Sequence, residues 1–200
     1  MAQEAPIEAE STAGLTLAEW FELPEDAAGE LVDGRLEEEE VADFIHEILV
    51  MLLGQALGNW IFARGGAVVG SDAKLALGEG LGRKPDLSVY LPGTPLPPRR
   101  GLITQAPDVA VEVVSPKPRD TRRDRVEKVD EYAAFGIRFY WIVDPELRSL
   151  EILELGPDGR YVHALGTTSG IVDPVPGCDG LVLDLDSLWQ TADRLAPGDE

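Results

Sequence analysis

Cysteine, histidine and positive charge are all scarce in this 200-residue chain. Its one cysteine, Cys178, excludes an internal disulfide and any cysteine-rich zinc site, and a reducing cytoplasm is the location that suits it. Cys178 stands in the turn-like segment PVPGCDG and is given no function. Seventeen Lys and Arg face 37 Asp and Glu, a formal net charge of −20. A surface of that sign repels a polyanion in general. No apolar run reaches the roughly 18 residues that a membrane helix needs. The acidic start MAQEAPIEAE lacks a signal-peptide pattern, so no membrane association is expected. The sequence shows no internal repeat, no domain linker and no separate recognition module such as a zinc finger or a basic amphipathic helix.

What remains is a globular composition, 44% hydrophobic and 27% charged, and a length that suits one domain with a sizeable core. Residues 1–14 are acidic and polar and read as a disordered tail. Residues 15–190 read as one folded domain, and 191–200 as a flexible C-terminal tail. The charge is unevenly spread. Residues 1–40 hold 13 acids and one base, whereas residues 83–128 hold ten bases against six acids. That local excess fits a site for an anion, and it fits equally a solvated helix face carrying arginines.

Thr16 starts a short amphipathic helix with Leu17, Trp20 and Phe21 at i, i+3 and i+4, ended by Pro24. In ELVDGRLEEEE the Asp33-Gly34 pair predicts a hairpin, with Glu37 to Glu40 as a solvated strand end. The longest helical pattern runs from Asp43 to about Arg64, closed by Gly65-Gly66. His46 lies near its start, where a surface or capping role competes with a ligand role. Strands are predicted at about 67–77 and 86–91, with GEGLGR between them as a flexible connection. The spacer PGTPLPPRRG is too rich in proline for regular structure.

The segment DVAVEVVS reads as a buried strand from its four valines. Glu112 in its middle is the anomaly, because an unpaired buried carboxylate costs several kcal/mol, so a cation or donor must stand near it. A helix over 120–135 stops at Gly136. Asp124, Lys128 and Tyr132 share one of its faces, and Val126, Val129 and Ala133 another. An ordinary Asp–Lys helix pair explains the first set without any site. The strand RFYWIVD follows, and a helix between it and DVAVEVV predicts a parallel βαβ unit. Two further strands, SLEILEL and YVHAL, precede a last strand and a one-turn helix within 181–190. The fold class is therefore α/β (α+β): a mixed β-sheet flanked by helices, with an N-terminal helix and hairpin. Asp86 at the mouth of one strand, Glu112 inside another and Lys128 on the next helix are the residues to bring together. Two carboxylates and a lysine there suit a divalent cation and a phosphate.

The ordered series ELVDG, PDLSVY, VEVVSP, DxxxKxxxY and YWIVDP resembles the bacterial Uma-two family of restriction-endonuclease-like proteins, placed in the PD-(D/E)XK nuclease superfamily. The likeness runs from about Leu15 to Leu188 and is densest over 84–145. It implies a restriction-endonuclease-like core and Mg²⁺-dependent hydrolysis of DNA, with Mn²⁺ as a substitute. By position, Asp86 matches the aspartate of PD and Glu112 the acid of the second strand. Both would ligate the metal, with Glu30 of ELVDG as a possible supporting acid. The superfamily lysine normally stands two residues after that acid, where this chain has Val114. Lys128 of the following helix takes its place, to orient the attacking water or to balance charge on the phosphate. KPRDTRR after Ser115-Pro116 also departs from the family, which commonly has a Ser-Thr pair and a shorter loop. Tyr132 is assigned to packing or hydrogen bonding beside Lys128, and His46 matches a family position without a catalytic step. By analogy a homodimer is expected, since cutting both strands of a duplex uses two sites. The competing readings are a catalytically silent nuclease-fold protein acting as a binding or interaction module, and a hydrolase of another phosphate ester.

Overall fold

The side chain of Thr16 accepts from the Glu19 backbone, and the Glu19 carboxylate accepts from the Thr16 backbone. This reciprocal cap starts α1, Leu17–Phe21, and buries Trp20. The computed structural model describes residues 14–24, 29–37, 42–115 and 122–196. The predicted hairpin is present: β1 (Glu30–Val32) pairs antiparallel with β2 (Arg35–Glu37). Asp33 and Gly34 both take positive φ, 50° and 70°, as a tight turn between right-twisted strands requires. Nearly all of the predicted acidic tail, residues 1–13, and the acids 38–40 lie outside the described residues.

Helix α2 spans Phe44–Ile61, continues as a 3₁₀ turn over Phe62–Arg64 and closes at Gly65, φ 84°. By length and composition the span Phe44–Arg64 suffices to cross a membrane, which corrects the expectation that no stretch does. One face of it, with Leu49, Leu53, Leu57 and Ile61, is buried in the larger core, while Phe44, Met51 and Phe62 are exposed.

The predicted strand over 67–77 is two strands, β3 (Ala67–Val69) and β4 (Leu75–Gly78). The stretch read as a flexible GEGLGR connection is instead a hairpin that returns as β5, Leu81–Arg83. Gly82 there lies against the Trp20 ring, where any Cβ would come within 2.3 Å of it. β6 (Leu87–Tyr90) and β7 (Val109–Val113) flank the irregular proline-rich spacer as predicted. After β7 a π-helical turn, Arg123–Glu127, runs into α3, Lys128–Phe135, which ends at Gly136 with φ 91°. β8 (Phe139–Asp144), β9 (Ser149–Leu155), β10 (Tyr161–Thr167), β11 (Ile171–Val172) and β12 (Leu183–Asp184) follow. The last helix, α4, covers Leu185–Leu195. It has eleven residues where one turn was predicted, and it takes residues 191–195 out of the predicted tail. The Asp184 side chain caps it by accepting from the Ser187 backbone, and Leu185, Trp189 and Ala192 bury its apolar face.

Among the described residues a six-stranded sheet has the order β10-β9-β8-β7-β6-β3, and a four-stranded sheet the order β2-β1-β5-β4. Only β7 and β8 run parallel in the larger sheet, with Glu112 opposite Ile142, so the predicted βαβ unit is present. Residues of β7 and β8 alternate between two interiors. Val109, Val111, Val113, Phe139, Trp141 and Val143 join the core under α2 and α4. Ala110, Tyr140 and Ile142 join a smaller cluster with Tyr132 and Ile137, on the side of α3. Glu112 has the parity of Ala110, and so it points into this second interior.

Candidate functional site

Strand register places the first two candidate residues side by side. Leu87 of β6 faces Val111 of β7, so Asp86, one residue before β6, lies beside the Glu112–Val113 peptide. The Val113 backbone donates to Asp86 Oδ2 at 2.7 Å. His46, in the first turn of α2, sets Nε2 3.2 Å from the same oxygen. Glu112 is 4% exposed and finds the partners that its burial demands. Lys128 Nζ lies 2.9 Å from Glu112 Oε1, and the Tyr132 hydroxyl donates to that oxygen at 2.6 Å.

Lys128 and Tyr132 arrive together because they stand one helical turn apart on α3. Asp124, one turn earlier, lies 3.3 Å from Lys128 Nζ. The three residues predicted on one helix face are therefore all buried at the site. An ordinary Asp–Lys helix pair does not describe them. The turn before Lys128 is wound as a π-helix, its backbone N–H donating to the Arg123 carbonyl. Such turns are uncommon and frequent at functional sites.

Glu30 reaches the same ammonium, with Oε1 3.6 Å from Lys128 Nζ. The Lys84 backbone donates to that oxygen at 2.8 Å. Arg83, fully buried, donates to Glu30 Oε2 at 2.8 Å and forks onto both oxygens of Glu131 at 2.7 and 2.8 Å. Sequence reasoning passed over Arg83 because it closes a glycine-rich stretch that looked like a linker. Its place one residue before the KPD series was the available signal. Asp124 was visible in the helical spacing and was given no role. Arg123 Nε, 3.9 Å from Glu30 Oε2 and 4.0 Å from Asp124 Oδ1, is a further cation here that sequence reasoning did not single out.

These groups line a cavity of about 240 Å³ that holds Glu30, His46, Asp86, Glu112, Asp124 and Lys128 on its walls. Its electrostatics follow from burial and crowding. Burial, with the charges of Asp86, Asp124 and Glu30, pushes the Glu112 carboxyl up to about 8 against the pull of Lys128. Burial works against the Lys128 ammonium, yet Glu112, Glu30 and Asp124 more than offset it and hold its pKa above the ordinary value. Glu30 is also buried, but Lys128, Arg83, the Lys84 N–H and Arg123 keep it below the usual carboxylate range. His46 is likewise opposed by burial, and the hydrogen bond and charge of Asp86 raise it.

The donor set fits a hard divalent cation. Asp86 Oδ2 and Glu112 Oε1 are committed to the partners above, while Asp86 Oδ1 and Glu112 Oε2 have no hydrogen bond among the described residues. No cluster of three or more His, Cys, Asp or Glu is poised for a metal among those residues. An ion held here would take few protein oxygens and keep several waters, which is the habit of Mg²⁺.

The sequence model of the Uma2 family, whose description reads "Putative restriction endonuclease", matches residues 17–186. The chain belongs to the Uma2 family. The match spans α1 to the first residues of α4, and it bears out the resemblance carried by the five ordered motifs. A solved structure from Anabaena variabilis, described as a putative nuclease belonging to DUF820, superposes with a TM-score of 0.71. The alignment covers 89% of this chain and 99% of that one at 19% identity, and so shows a common fold. No curated protein matches the chain.

Proposed function

We propose that this chain is a metal-dependent nuclease that hydrolyses DNA phosphodiester bonds in the cavity of Asp86, Glu112 and Lys128. The observation that carries the reading is a buried lysine 2.9 Å from a strand carboxylate, with a second carboxylate on the same cavity wall. Membership of a family whose description reads "Putative restriction endonuclease" supports it. Asp86 and Glu112 would hold Mg²⁺ by their uncommitted oxygens, with Glu30 as support through Lys128. When bound, the ion supplies a Lewis acid for the phosphate and lowers the pKa of water. The N–H of Val113 and the imidazole of His46 fix one oxygen of the Asp86 carboxylate on the cavity wall, which leaves the second for the ion. Tyr132 fixes Glu112 in the same way. The Lys128 ammonium stays charged and offsets negative charge growing on the phosphate oxygens. Cutting both strands of a duplex takes two such cavities, so the proposal includes a homodimer.

The test is conversion of supercoiled plasmid with Mg²⁺ or Mn²⁺. Wild-type protein is expected to nick or linearise it, and Glu112→Ala to lose at least a hundredfold in rate. Cleavage that persists unchanged in Glu112→Ala would sink the assignment. One observation favours a second reading, a binding module that keeps the fold without turnover: Val114 occupies the position where the superfamily lysine stands. Calorimetric titration with Mn²⁺ separates the two. Binding that depends on Asp86 and Glu112 supports the nuclease.

A further inference from the structure

A second and larger hollow, of about 750 Å³, adjoins the acid cavity. The two share a wall, because Ser71 and Asp72 line both. The far side of this groove is the loop Pro97-Pro98-Arg99-Arg100, and Phe21 of α1 adds an aromatic wall. The Lys74 ammonium donates to the backbone carbonyls of Trp20 and Phe21 at 2.9 and 3.4 Å and stands 5.8 Å from the Phe21 ring centroid. Those bonds fix α1 against the groove. The two prolines stiffen the loop that presents the arginines. Both guanidinium groups are exposed, and among the described residues neither has a hydrogen-bond or ion-pair partner.

In a chain with 37 acids and 17 bases, two unpaired arginines on a groove that opens beside the acid cavity are a local reversal of charge. Asp72 on the shared wall is fully exposed and lies 3.8 Å from Lys84 Nζ, which offsets its charge. We propose that this groove takes a single DNA strand flanking the bond to be cut, with backbone phosphates on Arg99 and Arg100 and a base against Phe21. A positively charged track with an aromatic wall suits a single strand, whose bases offer free faces, and a duplex offers none along its length. The assignment rests on the nuclease reading and adds to it a substrate class: DNA with an unpaired segment next to the scissile phosphate.

The experiment measures fluorescence anisotropy of a labelled oligothymidine and of a hairpin duplex of equal charge, with Ca²⁺ in place of Mg²⁺. Wild-type protein is expected to bind the single strand more tightly. Arg99→Glu with Arg100→Glu weakens that binding at least tenfold. The slope of log affinity against log salt falls by about 1.4, as loss of two single-strand phosphate contacts implies. Phe21→Ala weakens it about fivefold or more, and Phe21→Trp restores it. All of these variants keep the wild-type affinity for Mn²⁺, which shows that the acid cavity is folded. Glu112→Ala keeps oligothymidine binding while losing cleavage. If wild-type protein cuts DNA and the charge-reversed variant binds and cuts as well as it does, the groove assignment falls and the nuclease reading stands. Preference for the duplex also overturns the groove assignment. A wild-type protein that neither binds nor cuts overturns both.

Discussion

Strand β7 separates two interiors built on opposite principles. On one side Val109, Val111 and Val113 meet Leu49, Leu53 and Leu57 of α2, an apolar contact that needs no partner chemistry. On the other, Glu112 shares a buried network with Lys128, Asp124, Glu30 and Arg83. The first side is stabilised by area removed from water. The second sets desolvation of many charges against their mutual attraction, and replacing such a network by apolar residues is often neutral or stabilising. Its members are individually hard to remove, since each deletion strands a buried charge. An interior of that kind suggests selection for chemistry over stability.

Two substitutions across the strand put numbers on that contrast. Lys128→Met leaves three carboxylates around a missing ammonium and is expected to destabilise metal-free protein by about 3–5 kcal/mol at pH 8. The loss shrinks at pH 5, where Glu112 carries its proton. Leu53→Ala, in the apolar interior, is expected to cost about 2–5 kcal/mol with no dependence on pH in that range. Urea denaturation at both pH values measures each. A Lys128→Met loss below about 1 kcal/mol, or one equal at the two pH values, would erase the distinction between the interiors.

The pH dependence of the wild type tests the same network without mutation. The Glu112 carboxyl has a folded pKa raised to about 8 from 4.5. The folded state therefore holds a proton that the unfolded chain has released. The stability tied to it is fully present below about pH 4.5 and is lost as pH rises towards 8, by at most about 1.4 kcal/mol per pH unit. Asp124 and His46, both raised, act in the same direction. Glu30, which is lowered, acts at and below pH 4.5 and leaves the window clear. Melting temperatures of metal-free protein are expected to fall between pH 5 and 8, and the fall to be smaller in Glu112→Gln. A flat wild-type profile would mean that Glu112 is ionised throughout.

The apolar interior was legible in the sequence because valine alternation and three- and four-residue spacing are properties of single elements. Glu112 was legible for the same reason, as a charge out of place in a valine-rich strand. Arg83 was not, because its partners Glu30 and Glu131 stand 53 and 48 residues away. The glycine in the middle of its strand, Gly82, gives clearance to Trp20, a purpose that exists only in the fold. The length of α4 was also missed, since its burial depends on contacts with α2 and β11 that no local pattern displays.

Helix α3 and the turn before it show most clearly where pattern reading misleads. An amphipathic helix should bury its valines and expose its charges. Here Asp124 and Lys128 are 4% and 3% exposed, while Val126 is 55% exposed. The inversion follows from the second interior: the side of the helix that faces β7 must satisfy Glu112, so the polar side turns inward and Val126 is left in water. Val126→Lys is therefore expected to change stability by no more than about 0.5 kcal/mol, the range of an ordinary surface substitution. Equilibrium unfolding checks it, with Asp124→Leu as the contrast two residues earlier. A large loss from Val126→Lys would place that valine in a contact, and the helix would then have to be turned with its charged face towards solvent.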